Sequence, residues 1–168
     1  NNTVVRVNGQ DKIQVNSNGL YVGGYIEILD TILHSGDTDT KIRFPAADTV
    51  SVETSGSEAI RVDSSGRVLI GTTTVGHETA DDLTIASSGS TGISIRAASS
   101  NASNIHFGDG TSGADQYRGI IQYHHNGDSM RFFTNATEKV RITSGGSLGI
   151  GTATVRNNRT VQILSLIH

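Results

Sequence analysis

Short runs in which apolar and polar residues alternate recur along most of this chain. Val5 to Val7, Ile13 to Val15, Ile42 to Phe44, Val50 to Val52, Ile60 to Val62, Leu83 to Ile85, Ile93 to Ile95, Val140 to Ile142 and Val161 to Ile163 follow this pattern. Alternation puts the apolar members on one face of an extended chain, so each run predicts a half-buried strand. Ile121 to Tyr123 and Met130 to Phe132 alternate in the same way around His124-His125-Asn126-Gly127-Asp128. Asn18-Gly19, Ser65-Gly66, Asp109-Gly110, Asn126-Gly127 and Gly145-Gly146 read as tight turns, because Gly and Asn reach positive φ cheaply. Tyr25 to His34 is the one helix candidate: Ile26, Leu29, Ile32 and Leu33 fit a helical stripe, while Ile26, Ile28 and Ile32 fit a strand. The matching run in a later repeat, Ser103 to Phe107, favours the strand. The expected fold is all-β, with repeated short strands in an elongated, homotrimeric fibre or β-solenoid-like shaft.

The runs are themselves repeated. Glu58-Ala59-Ile60-Arg61-Val62-Asp63-Ser64-Ser65-Gly66-Arg67-Val68-Leu69-Ile70-Gly71-Thr72 aligns without a gap on Glu138-Lys139-Val140-Arg141-Ile142-Thr143-Ser144-Gly145-Gly146-Ser147-Leu148-Gly149-Ile150-Gly151-Thr152. Upstream, Leu33-His34-Ser35-Gly36-Asp37 matches Ile105-His106-Phe107-Gly108-Asp109. His34 to Gly71 spans 37 positions and His106 to Gly151 spans 45, and the extra eight are expected around Gln122 to Ser129, as one small hairpin. Asp11 to Gly19 repeats the Glu58 to Gly66 block in weaker form, and Thr160-Val161-Gln162-Ile163 echoes Asp82-Leu83-Thr84-Ile85. The expected division is a partial repeat at 1–24, a first unit at 25–77, a second unit with a hairpin insert at 78–156, and the start of a further unit or a non-native tail at 157–168. Such a chain reads as cut from a longer quasi-linear array. A unit of some forty residues with strands this short struggles to offset an ordering cost of roughly 1.5 kcal/mol per residue, so neighbouring units or other chains must supply core.

Composition sharpens this picture. Ile and Val number 17 and 13 against 8 Leu, with 19 Thr and 20 Gly, a mixture that favours pleated surfaces and turns over helices. Charged residues are 17% and the net charge is -3, which leaves no basic stripe for nucleic acid. Cysteine is absent, excluding a disulfide framework, a thiolate metal site and a Cys nucleophile. No run approaches the roughly 18 apolar residues that span a bilayer, and no basic-then-apolar leader opens the sequence. Neither nucleic-acid binding nor membrane insertion is expected. Asn-x-Ser/Thr triplets at Asn1, Asn101, Asn135 and Asn158 are what chance supplies in a chain this rich in those residues.

Candidate chemistry is sparse. His124 and His125 are adjacent, so on a strand they point to opposite faces and cannot both ligate one ion within a chain; in a trimer one could meet its symmetry copies, but a polar hairpin tip is the stronger reading. His34 and His106, at matching repeat positions, point to a structural role. Asp37-Thr38-Asp39 opens like a calcium loop, but Ile42 stands where that loop needs Gly and Asp48 where it needs Glu. Gly108 to Asp115 is too irregular for a calcium-binding nonapeptide. Asp81, Asp82, Asp109, Asp115 and Asp128 could supply a glycosidase pair, yet all sit in Gly/Ser-rich turns. No nucleophile elbow, phosphate loop or His-Glu-x-x-His motif occurs. No catalytic, metal or cofactor residue is therefore assigned, and no enzymatic activity is expected.

Gly36-Asp37-Thr38-Asp39-Thr40-Lys41-Ile42-Arg43-Phe44-Pro45 followed by Glu58 to Thr74, and Gly108 to Ile121 followed by Met130 to Thr134 and Glu138 to Thr152, resemble repeats of bacteriophage tail fibre proteins, particularly those of phages of marine bacteria. The resemblance covers about Asp30 to Thr154. In that family the Leu-x-Ile-Gly-Thr segment commonly precedes a Pro-containing link to another unit or to a chaperone domain of the endosialidase type, whereas here no Pro follows Thr74 or Thr154. It implies a structural virion segment, extracellular in use, that spaces and presents the host-receptor-binding tip. The implied partners are two further copies of the chain, other tail proteins, and a host surface glycan or receptor. A bacterial surface adhesin stalk and a part of a polysaccharide-degrading tailspike are the alternatives. Leu164-Ser165-Leu166-Ile167-His168 matches one reading frame of a widely used transposon sequencing adaptor; a genuine apolar strand at a fragment boundary is the other reading.

Overall fold

The computed structural model describes residues 3–7, 10–23, 25–151 and 161–163. The described chain is all-β, with no α-helix. A three-stranded antiparallel sheet comes first, from β1 (Thr3–Val7), β2 (Gln10–Asn16) and β3 (Gly19–Val22). Next come β4 (Thr31–His34), β5 (Asp37–Ala46), β6 (Thr49–Thr54), β7 (Ser57–Val62), β8 (Val68–Ile70) and β9 (Leu83–Ile85), joined in chain order as one sheet. A second six-stranded sheet contains β10 (Ala102–Phe107), β11 (Gly119–His124), β12 (Ser129–Thr134), β13 (Thr137–Ile142), β14 (Leu148–Ile150) and β15 (Val161–Ile163), again in chain order. The chain forms two compact units, Asn1–Gly92 and Ile93–His168.

Both six-stranded sheets are five-strand antiparallel meanders closed by a parallel strand, β9 on β8 and β15 on β14. A parallel neighbour needs a crossover of about a dozen residues, and residues 71–82 provide it in the first sheet. Gly71 starts that crossover at φ 70, and a Cβ there would collide with the Ala86 carbonyl, whose own amide bonds to the Ile70 carbonyl at 3.0 Å. The strands closing each sheet, Leu83–Ile85 and Val161–Ile163, fall beyond residues 77 and 156, the ends of the two units in the sequence division.

The repeated blocks share their Glu–Arg fork and the bond at their closing Gly, while the Arg67 bridge to Asp63 and Asp81 has no counterpart at Ser147. Arg61 forks onto Glu58 at 2.7 and 2.6 Å, and Arg141 onto Glu138 at 2.7 and 2.7 Å. The Gly71 amide reaches the Ala59 carbonyl at 3.0 Å, and Gly151 reaches Lys139 at 2.8 Å. The register shifts after Val52 and after Phe132 because the facing strand carries one extra residue, Ala59 in β7 and Lys139 in β13. A bulge re-aims the residues beyond it, and here each lets a Glu and the Arg three residues on in the same strand meet.

Register corrects two expectations. Ile32 pairs with Ile42 and Ile105 with Ile121, which makes Ile105 the counterpart of Ile32 rather than of Leu33. His34 and His106 are therefore one step out of equivalence, and a one-residue slip exchanges faces. Ten positions separate Ile32 from Ile42, but sixteen separate Ile105 from Ile121; the next step, to Val52 or Phe132, differs by one. Most of the insertion thus lies between β10 and β11, where the chain makes a 3-10 turn at Gly113–Tyr117, and not at the His125–Asp128 hairpin. Tyr25 to Asp30 is neither helix nor strand, and Ile93 to Ile95 lies outside the ladder. The adaptor-like tail at residues 164–168 lies outside the described residues.

Candidate functional site

Alternation divides each six-stranded sheet into an apolar and a polar face. On the apolar face of the first, one cross-strand row runs Ile32, Ile42, Val52, Ile60, Ile70, Ile85. The corresponding row of the second runs Ile105, Ile121, Phe132, Val140, Ile150, Ile163. Adjacent rows add Val50, Val62, Val68 and Leu83 in one sheet and Tyr123, Met130, Ile142 and Leu148 in the other. No charged side chain interrupts the two long rows, yet Ile60 remains 42% exposed and Phe132 37% exposed. Among the described residues the one buried apolar side chain is Leu69, and it sits on the opposite face, between Arg61 and Thr84. Shallow depressions mark the apolar faces, one of about 260 Å³ at Ile32, Ile42 and Val52 and one of about 200 Å³ where Ile93 and Ile95 approach Ile105 and Ile121.

The polar face is the better covered of the two. Thr49, Ser51 and Glu53 of β6 are buried, Ser51 between Arg43 and Arg61 and Glu53 against Lys41 and Arg43, long side chains whose stems cover surface while their heads find partners. Arg43 reaches Asp30 at 3.0 Å with Nη2 and Glu53 at 3.1 Å with Nη1, and Lys41 takes the other Glu53 oxygen at 3.1 Å. Hydrogen bonds from Arg43 hold the Asp30 carboxyl below its ordinary range, and Lys41 does the same for Glu53. Arg67 bridges Asp63 at 2.7 Å and Asp81 at 2.9 Å, tying the crossover to the β7–β8 turn and lowering Asp63. The Ser51 hydroxyl is buried without a hydrogen-bond partner.

The residues weighed from sequence do not converge. His124 contacts the Asn126 carbonyl at 2.7 Å through Nδ1, while His125 meets the Ser103 hydroxyl at 3.0 Å through Nε2 and lies edge-on to Tyr123. Ser103 Oγ also donates to the Ile95 carbonyl at 3.1 Å, so it stitches the preceding segment to β10. His34 lies 3.7 Å from Asp37, whereas His106 faces the Tyr117 ring at 6.2 Å, the difference their register implies. Asp37 and Asp39 interact through their carboxyls, which lowers Asp37 and raises Asp39. Asp48 occupies a left-handed turn at φ 55. Asp109 and Asp115 both serve Arg118, Asp82 accepts the Val68 amide through its carbonyl, and Asp128 accepts the Tyr123 hydroxyl at 3.2 Å. Among the described residues no group of three or more His, Cys, Asp or Glu could hold a metal ion.

Sequence reading missed the arginine network, although the repeated Glu-x-x-Arg spacing at 58/61 and 138/141 was its signal. No protein-family model matches this chain, and no curated protein does.

Proposed function

We propose that this chain is a shaft segment of a trimeric phage tail fibre, whose work is mechanical: it spaces the receptor-binding tip from the virion. The observation that carries this reading is the pair of uncovered, charge-free apolar rows. A sheet with one apolar face must bury it against another layer, and neither unit supplies that layer to its own six-stranded sheet among the described residues. Two further copies of the same chain offer the same rows in the same order, so a threefold arrangement brings like faces together along each repeat. A tandem array of such units extends the contact without changing its chemistry. Asp30, Glu53, Asp63, Asp81, Asp109 and Asp115 are paired with cations, and the pair of acids that meets, Asp37 and Asp39, has its carboxyls in contact with each other. This supports a non-enzymatic role, since glycoside cleavage needs two acids held apart across one bond.

Sedimentation equilibrium on the purified chain tests the assembly, with a trimer as the expected species. A cooperatively folded monomer at micromolar concentration would overturn it. Incubation with bacterial surface polysaccharide should release no reducing ends; release would favour the tailspike alternative.

A further inference from the structure

The two polar faces are not equivalent: along one cross-strand row four of five positions differ, and one of these changes puts a cation next to a cation. The row that reads Thr31, Arg43, Ser51, Arg61, Leu69 in the first sheet reads Asn104, Gln122, Arg131, Arg141, Gly149 in the second. Arg131 thus stands where the first sheet has a small neutral Ser51, so the ladder itself does not require a cation there. It stands directly opposite Arg141, and like charges so placed repel.

One carboxylate serves both arginines. Glu138 binds Arg141 in a fork and lies 3.9 Å from Arg131 Nε, which donates instead to the Ser129 hydroxyl at 2.9 Å. The two terminal nitrogens of Arg131 have no acceptor among the described residues, while its side chain is 18% exposed. Burial, and then the charge of Arg141, lower the Arg131 pKa: its cationic form is held at a cost. Two arginines against one glutamate leave this cluster one positive charge in excess, and a guanidinium presents a planar fork of donors that matches an oxyanion. Beside it in the same row, Gln122 Nε2 donates to Asn104 Oδ1 at 2.8 Å, giving a strip of amide groups of the kind that meets sugar hydroxyls.

We propose that Arg131, with Arg141 and Ser129, forms an anion subsite that takes the carboxylate of an acidic saccharide, the sugar lying along Gln122 and Asn104. The subsite is on the face opposite Met130 and Phe132, so it does not compete with burial of the apolar row.

The test is calorimetric titration of the full chain at low ionic strength with a glucuronate-containing oligosaccharide, with sodium sulfate and with a neutral oligosaccharide. Saturable binding of the uronate oligosaccharide is expected, at one per chain. Arg131→Ser, which copies the first sheet, should weaken it at least tenfold, and Arg131→Lys should weaken it less. Equal binding by Arg131→Ser, or none by the parent, would overturn the subsite; sulfate binding without uronate binding would overturn its assignment to a saccharide. Should Arg131→Ser not fold, the parent's melting temperature decides: it should rise with the uronate oligosaccharide and not with sodium chloride of equal ionic strength. Sedimentation of the same samples separates the outcome from that of the trimer, which predicts no change on ligand addition.

Discussion

Replacing Ile60 by Ala removes a side chain from the middle of the first apolar row, between Val52 and Ile70. Full burial of an Ile contributes up to about 3 kcal/mol relative to exposure. Ile60 is still 42% exposed in the single chain, so roughly 1.7 kcal/mol of that arises within the sheet and roughly 1.3 kcal/mol is left for whatever covers the face. If three copies cover one another, the assembly loses about 4 kcal/mol, or a factor of about 10³ in the trimer association constant. The concentration at half-dissociation follows the square root of that constant and should rise about thirtyfold. If the chain folds only on association, the whole 3 kcal/mol per copy counts and the rise is about two thousandfold. Ala retains the β-carbon, so these are upper figures. Sedimentation equilibrium over a wide concentration range measures the shift directly. Leu29→Ala is the control: Leu29 is 96% exposed and lies outside every strand, so its loss should leave the midpoint alone. An unchanged midpoint for Ile60→Ala, or an equal shift for Leu29→Ala, would refute the claim that this face is the assembly surface.

Three further outcomes are expected. Ala136 has φ 55 where its counterpart Gly56 has φ 69, so Ala136→Gly should raise stability by up to about 1 kcal/mol in urea denaturation, the relief of a left-handed Ala offset in part by the freedom of Gly in the unfolded chain. Ser51→Ala should stabilise by about 1 kcal/mol in the same assay, because a buried hydroxyl without a partner is removed. Asp30, Glu53 and Asp63 have depressed pKa values when folded, through Arg43, Lys41 and Arg67 respectively, so their contribution is present above about pH 4 and is lost as pH falls through the folded values. Asp39, raised by Asp37, acts in the opposite sense: its share is present below about pH 4 and lost as pH rises through its folded value. Asp37, lowered by its contact with Asp39, acts in the same sense as Asp30, Glu53 and Asp63. With four groups against one, urea midpoints should drop between pH 5 and pH 3, and a flat profile would contradict the ion-pair geometry.

Strand alternation, turn positions and the repeated Glu-to-Thr block were all legible in the sequence, because each depends on neighbours a few residues apart. Period-two patterning put Val50 with Val52, and Ile60 with Val62, on one face of each strand without reference to anything distant, and Gly66 and Gly146 announced their turns through their freedom at positive φ, 81° and 78°. What the linear pattern could not decide was pairing across long separations. The motif shared by His34 and His106 suggested an equivalence, but the ladder aligns Ile32 with Ile105, since hydrogen-bond register and the filling of one face outweigh a short polar match. The same register moved the insertion from the hairpin at His125–Asp128 to the 3-10 turn before β11. Parallel docking of Leu83–Ile85 on Val68–Ile70 was likewise invisible locally, because a crossover strand carries no mark of the partner it returns to. The candidate sites followed the same division. Adjacent His124 and His125 had to diverge by alternation alone, whereas the cations over Ser51 and the excess charge at Arg131 arise only when strand pairing sets Arg43 and Arg61 on either side of Ser51 in one sheet and Arg131 opposite Arg141 in the other.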